Sequence, residues 1–209
     1  MRIIILGAFQ DELTHIIDSF TDLKKSVISK CRCLLGYWNT HEIYIALSGI
    51  GTSAAAITTT ILCEKLKPDL IIFCGVAGGL KSDQQIGDLV LANQIVDADL
   101  HLLPIILKDT PYTKALIDPH TLKDISVFYS INTFIANIFD TFEFERLKQG
   151  SIVTSNIFPA PKSLFKEIKK LNCSAIEMES AGIYKAVEYY NVVFPYRCSS
   201  HIKNIKSYR

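Results

Sequence analysis

Short, uninterrupted apolar runs alternate along the chain with stretches of helical periodicity. Arg2-Ile3-Ile4-Ile5-Leu6-Gly7 has the continuous hydrophobicity of a strand covered on both faces, and Asp11 to Phe20 reads as the helix after it. Cys33 to Trp38 and Glu42 to Leu47 predict a hairpin turning at Asn39-Thr40-His41. Ser48-Gly49-Ile50-Gly51-Thr52 leads into an Ala/Thr-rich helix, Ala54 to Leu66, which Pro68-Asp69 ends. Leu70 to Cys74 is a second buried strand, Gly75 to Leu80 a loop, and Asp88 to Ala92 a further strand. Residues 97–125 carry Pro104, Pro111 and Pro119 with little periodicity, a long and partly irregular excursion. Beyond it the pattern predicts a helix from Ser126 to Phe142, a strand from Gly150 to Ser155 and a helix from Pro161 to Leu171. A last clear helix follows from Ile183 to Tyr190, then a strand-like run from Asn191 to Phe194.

Strands that alternate with helices and are buried on both sides imply an α/β fold. The expectation is one three-layer α/β/α domain over residues 1–209, with a central twisted mixed sheet. In such folds ligands bind beyond the carboxyl ends of the strands. Five loops fall at those ends: Ala8 to Glu12, Ser48 to Thr52, Gly75 to Leu80, Ser155 to Phe158 and Ile176 to Ser180. Gathered on one rim, they outline a pocket.

Composition narrows the classes of partner. Of 209 residues, 49% are hydrophobic and 21% charged, as in a globular protein. A formal net charge of +1 gives no electrostatic footprint for nucleic acid or an acidic membrane. No leader-like segment opens the chain and no apolar run is long enough to span a bilayer, so a cytoplasmic protein is expected. The six cysteines form no C-x-x-C pair, Cys31-Arg32-Cys33 is too close-set for a zinc knuckle, and no histidines stand at ligand spacing. Reduced thiols are expected, with no metal and no cofactor.

Ile176-Glu177-Met178-Glu179-Ser180 is the most informative stretch. Carboxylates two residues apart share a face on a strand but lie about 200° apart on a helix. At a strand end or strand-to-helix turn both can aim into one pocket, where a carboxylate accepts the vicinal hydroxyls of a sugar. The alternative is that both sit in the solvated first turn of a helix, where acids suit the dipole. Gly75-Val76-Ala77-Gly78-Gly79 either brings backbone N–H groups close to a ligand or makes a tight turn. It is neither G-x-G-x-x-G nor a Walker A loop. Ser48-Gly49-Ile50-Gly51 binds an anion or caps a helix. Glu12, one turn into the first helix, is a general base or an ordinary dipole-friendly acid.

Together these stretches resemble a known family. Gly7-Ala8-x-x-x-Glu12, Ser48-Gly49-Ile50-Gly51, Gly75-x-Ala77-Gly78-Gly79, Gly87-Asp88-Leu89-Val90 and Ile176-Glu177-Met178-Glu179 have the order and approximate spacing of the methylthioadenosine/S-adenosylhomocysteine nucleosidases. These enzymes belong to the nucleoside phosphorylase-like superfamily. The likeness runs from Met1 to about Asn191, with residues 100–148 poorly matched. The phosphate-binding Gly-Asp-Pro-x-Arg opening of the hexameric phosphorylases is absent, and no arginine precedes the Gly75 loop, so hydrolysis fits better than phosphorolysis.

The resemblance implies roles for individual residues. Glu12 would deprotonate the water that attacks the anomeric carbon, and Glu179 would bind the ribose 2′- and 3′-hydroxyls with Met178 under the sugar. Phe158 would stack on adenine, Asn156 would bond the base edge, and Ile50 would line the alkylthio end. Ala77 and Gly78 would touch base and ribose through their backbone, and Ala8, Phe9, Glu177, Arg197 and Ser200 would complete the substrate-binding set. The family's Arg-x-x-Ser-Asp, whose aspartate protonates adenine N7, corresponds to Arg197-Cys198-Ser199-Ser200-His201, one residue early relative to Asn191. His201 thus stands where the acid is expected, and the family's final long helix has no evident counterpart before Arg209. A homodimer is also implied, with the apolar Leu102 to Leu107 run suited to its interface. The reading is therefore an adenine thio-nucleoside hydrolase. A binding-competent but catalytically impaired relative and a phosphate-dependent phosphorylase are the alternatives.

Overall fold

The structure, a computed structural model, describes residues 1–101, 128–130, 146–157, 162–194 and 196–199. In chain order the strands are β1 (Arg2–Gly7), β2 (Lys24–Ile28), β3 (Cys31–Trp38), β4 (His41–Leu47), β5 (Leu70–Val76), β6 (Gly78–Gly79), β7 (Leu89–Asp97), β8 (Phe128–Ser130), β9 (Leu147–Thr154), β10 (Ala175–Glu177) and β11 (Tyr196–Ser199). The helices are α1 (Gln10–Asp18), α2 (Thr52–Leu66), the single turn α3 (Ala98–His101), α4 (Lys162–Lys170) and α5 (Ser180–Tyr190).

All the described strands join one mixed sheet, ordered β2-β3-β4-β1-β5-β11-β7-β9-β10-β6, with β8 also paired to β7. β1 lies parallel to both β4 and β5, and its buried alternation shows why. Ile4 and Leu6 enter the core that holds Ala55 and Leu62 of α2 and Ile183 and Val187 of α5. Ile3 and Ile5 pack on the opposite face, with Leu13 of α1 and Ile43 and Ile45 of β4. A strand apolar on both sides therefore separates two helical layers, the α/β/α arrangement that its continuous hydrophobicity predicts. Ile168 of α4 closes a second cluster with Val96, Val153 and Ile176.

Several boundaries differ from the expectation. β2 was not predicted: it is the sheet's edge, and Lys24-Lys25-Ser26-Val27-Ile28 has mostly exposed or half-buried residues and so no apolar signature. β7 runs to Asp97 because a register shift between Ala92 and Gln94 absorbs the polar pair before Ile95 and Val96 resume the core. Phe128–Ser130, inside the predicted helix Ser126 to Phe142, is a strand held antiparallel to Gln94, Ile95 and Val96, whose pairing outweighs the local periodicity. The remainder of that predicted helix, and the Leu102 to Leu107 run, lie outside the described residues. Asn191 to Phe194 is not the last strand: only Val193 bridges to Leu70, and β11 begins at Tyr196.

No helix among the described residues is long and apolar enough to cross a membrane. Cys31, Cys33, Cys63, Cys74 and Cys173 are free thiols, and burial pushes Cys33, Cys63 and Cys173 up to about 11. Among the described residues no group of three or more His, Cys, Asp or Glu side chains gathers to hold a metal.

Candidate active site

Parallel pairing sets the carboxyl ends of β1, β4 and β5 side by side, and the Ser48 N–H donates to the Gly7 carbonyl at 2.8 Å. Glu12 sits in the first turn of α1, just past β1. Its Oε2 accepts the N–H of Ala8 at 2.6 Å and of Phe9 at 3.4 Å, and its Oε1 accepts the N–H of Val76 at 2.8 Å. One carboxylate thereby ties the end of β1 to the end of β5. Gly75 leaves room for it, since a Cβ there would stand 3.1 Å from Glu12 Oε1. Burial raises the Glu12 pKa above the usual carboxylate range, against the opposing pull of the three N–H groups.

Glu179 is the N-cap of α5 and only 6% exposed. Its Oε1 accepts the Gly51 N–H at 2.9 Å and its Oε2 the Met178 N–H at 3.2 Å. Gly49 and Gly51 have φ of 79° and 87°, which suits glycine and lets this loop lay its backbone against the carboxylate. Glu179 is pushed up to about 7, first by burial, then by the charge of Glu177, with a smaller contribution from the charge of Glu12. Glu12 and Glu179, 167 residues apart in sequence (179 minus 12), are thus brought within electrostatic reach of each other.

The two motif carboxylates do not share one environment. Glu177 ends β10 and turns inward, bonded to Thr154, Ser180 and the backbone at the start of α5. Asn156 also turns to protein partners: its Oδ1 accepts the Thr52 N–H at 2.9 Å and its Nδ2 donates to Thr52 Oγ1 and Asp99 Oδ2, both at 2.8 Å. Asp99, at the start of α3, also accepts the Asn156 N–H at 2.9 Å and the Ser155 hydroxyl at 2.8 Å.

Of the other predicted residues, Ala8 and Ala77 are buried at the ends of β1 and β5, Gly78 and Met178 are half-buried, and Phe9 and Ile50 are exposed. Arg197 lies in β11, its backbone opposite Cys74 and Leu91, while Phe158, Ser200 and His201 lie outside the described residues. Thr154, Ser180, Thr52 and Asp99 were not singled out in the sequence. Thr154 carried a signal, a polar residue closing the apolar run Ile152-Val153.

Two carboxyl groups of raised pKa on a rim of backbone donors suit a reaction in which one takes a proton from water and the other holds hydroxyls. Residues 2–206 match the family model for the phosphorylase superfamily. The chain belongs to that superfamily. Within it, the 5′-methylthioadenosine/S-adenosylhomocysteine nucleosidase of Buchnera aphidicola subsp. Acyrthosiphon pisum (strain Tuc7) is 32% identical over 197 residues, covering 92% of this chain and 81% of the relative. That similarity places the chain in the nucleosidase family. A Helicobacter pylori futalosine hydrolase mutant superposes with a TM-score of 0.82 at 26% identity, over 98% of this chain and 86% of the other. A mutant H. pylori nucleosidase with 5′-methylthioadenosine in its active site gives 0.81 at 26% identity, with the same coverage of 98% and 86%. The superfamily's nucleoside phosphorylase-like fold is therefore the fold of this chain.

Proposed function

We propose that this protein hydrolyses the N-glycosidic bond of adenine thio-nucleosides, such as 5′-methylthioadenosine and S-adenosylhomocysteine, and releases adenine. The observation that carries the reading is the pairing of Glu12 and Glu179 on one rim, each held by backbone N–H groups. Glu179 accepts the ribose hydroxyls, with Met178 beneath the sugar. Glu12 removes a proton from water as its oxygen bonds the anomeric carbon. The carbon–nitrogen electron pair leaves with adenine, which takes up a proton, and both carboxylates stabilise the positive charge that builds on the sugar.

Ala77 and Gly78 contact the base and ribose through their backbone, Phe158 stacks on adenine, and Ile50 lines the alkylthio end beside Ala8 and Phe9. Arg197 and Ser200 complete the substrate-binding set. Asn156 acts on the base site by holding the Gly51 loop, since its side chain is engaged with Thr52 and Asp99. His201 stands in sequence where the family carries its acid, and in this reading it does not take over that role, so solvent supplies the proton to adenine and turnover is slow. Loss of a positioned acid removes roughly 10²–10⁴ in rate. The protein works as a cytoplasmic homodimer.

A single-turnover assay with 5′-methylthioadenosine, with and without phosphate, tests this. Adenine release independent of phosphate is expected, slower than in relatives with an intact acid and unchanged in His201→Ala. Futalosine belongs in the same assay, as the substrate named for a structural neighbour. Phosphate dependence would overturn hydrolysis, and fast turnover abolished by His201→Ala would overturn the solvent-acid route.

A further inference from the structure

Glu177 is the buried carboxylate that the proposed chemistry leaves unused. It is 5% exposed and takes four donors from within the protein. Oε2 accepts the N–H groups of Glu179 and Ser180, both at 2.8 Å. Oε1 accepts the hydroxyls of Thr154 and Ser180. Thr154 Oγ1 in turn accepts the Ala181 N–H at 3.1 Å, which leaves its own proton for Glu177. All four donors bond to the charged form, and the Thr154 and Ser180 hydroxyls can also turn to accept a proton. Burial raises the Glu177 pKa, while the four donors and the N-terminus of α5, where the helix dipole favours an anion, pull it back toward the carboxylate. The four lone-pair sites of the carboxylate are filled, so none remains for a sugar hydroxyl.

We infer that Glu177 is a positioning residue, which does not touch the nucleoside but fixes the Glu179 backbone and the start of α5 so that the Glu179 carboxylate stands ready for the ribose. This rests on the proposed hydrolysis and deepens it, since the two glutamates of one motif then have separate tasks. Strand geometry separates them: Glu177 is still in β10 beside Thr154 of β9, whereas Glu179 has left the strand and caps the helix. Glu177 also places a fixed negative charge beside Glu179. Among the described side chains, the charged groups facing Glu179 are Glu177 from β10 and Glu12 from α1, while the loop before α2 contributes the Gly51 N–H.

Glu177→Gln separates position from charge. Its amide oxygen can keep the two N–H bonds, and its NH₂ can donate to the hydroxyl oxygens of Thr154 and Ser180, which rotate to accept. The measurement is the Kd of 5′-methylthiotubercidin, a nucleoside that resists hydrolysis, and of free adenine, each across pH 5–9. Wild-type nucleoside affinity should fall on acidification through about 7 as Glu179 gains a proton. In Glu177→Gln the nucleoside Kd at high pH should stay within about threefold, while the acid limb moves to lower pH because a like charge has gone. Glu177→Ala, which strands two N–H groups, should weaken the nucleoside about tenfold or more and leave adenine unchanged. A Glu177→Gln that weakens the nucleoside at every pH without moving the limb would mean direct contact with the sugar and overturn the inference. Equal losses for nucleoside and adenine in Glu177→Ala would reduce Glu177 to a merely structural group and also overturn it. A wild-type protein that binds adenine but no nucleoside would instead sink the proposed function on which the inference stands.

Discussion

Glu179 ionises near neutrality because burial, and then the charge of Glu177, oppose its carboxylate. An acid whose folded pKa is raised from 4.5 to about 7 holds its proton more tightly when folded, so stability from this group is lost as pH rises through that window. Glu179→Gln should therefore melt higher than wild type at pH 8, by about 2–4 °C per kcal/mol recovered, and show no such advantage at pH 4. The same substitution should weaken nucleoside binding about tenfold or more, since a charged hydrogen bond is worth roughly 1.5–3 kcal/mol. Calorimetry reads both, and a wild type that melts higher than the variant at pH 8 would contradict the sign. Glu12→Gln should leave nucleoside affinity nearly intact and slow adenine release by about 10²–10⁴, as removal of a general base does. Glu12 and Glu179 were legible in the sequence because each stands at a strand-to-helix turn, where a side chain reaches the rim. The inward turn of Glu177 was not, since two glutamates in one motif look alike until the partners from β9 and α5 are known. The protein partners of Asn156 were hidden for the same reason: Thr52 and Asp99 are remote in sequence.

The site's geometry depends on how closely α5 approaches the start of α2. Gly182 allows this, because a Cβ there would meet the Thr52 carbonyl oxygen and lie 2.8 Å from its carbon and 2.9 Å from Thr52 Cα. All three are backbone atoms, so the helices themselves must part. Gly182→Ala should cost about 1–3 kcal/mol by overpacking, and it should loosen the Gly51–Glu179 bond, so denaturant midpoint and nucleoside Kd should both worsen. Asn156 caps α2 from outside, taking the Thr52 N–H that the helix leaves unpaired. Asn156→Ala should cost about 0.5–2 kcal/mol, the usual loss of a cap, with adenine and nucleoside affinity falling together as the loop relaxes. Elements with a complete apolar face, such as β1, β5 and α2, could be read directly. Elements defined by what they pair with could not: β2 presents few buried residues, β8 has only three, and the chain after Asn191 places its pairing segment beyond Pro195.

At the scale of the molecule, alternation and strand burial were enough for the three-layer arrangement, whereas the order of strands was not, because pairing between distant segments leaves no local periodicity. Ile50, Ile57 and Ile157 are exposed, on segments that the Thr52–Asn156 bonds draw together, and the proposed dimer is expected to bury them. Ultracentrifugation at micromolar loading should give a dimer, and Ile57→Glu should shift it to monomer with weaker nucleoside binding. A wild-type monomer would remove the dimer from the proposal. β11, the last described strand in sequence, lies in the interior of the sheet, parallel to β5 and antiparallel to β7. Synthesis proceeds from the amino end, so every other described strand emerges first, and any sheet they formed without β11 would carry an open slot lined by two rows of unpaired backbone donors and acceptors. Because β11 sets its residues opposite Cys74, Gly75 and Val76, the same late event that closes the sheet completes the rim of the pocket, and a chain released before Tyr196 would be both adhesive and without a finished site.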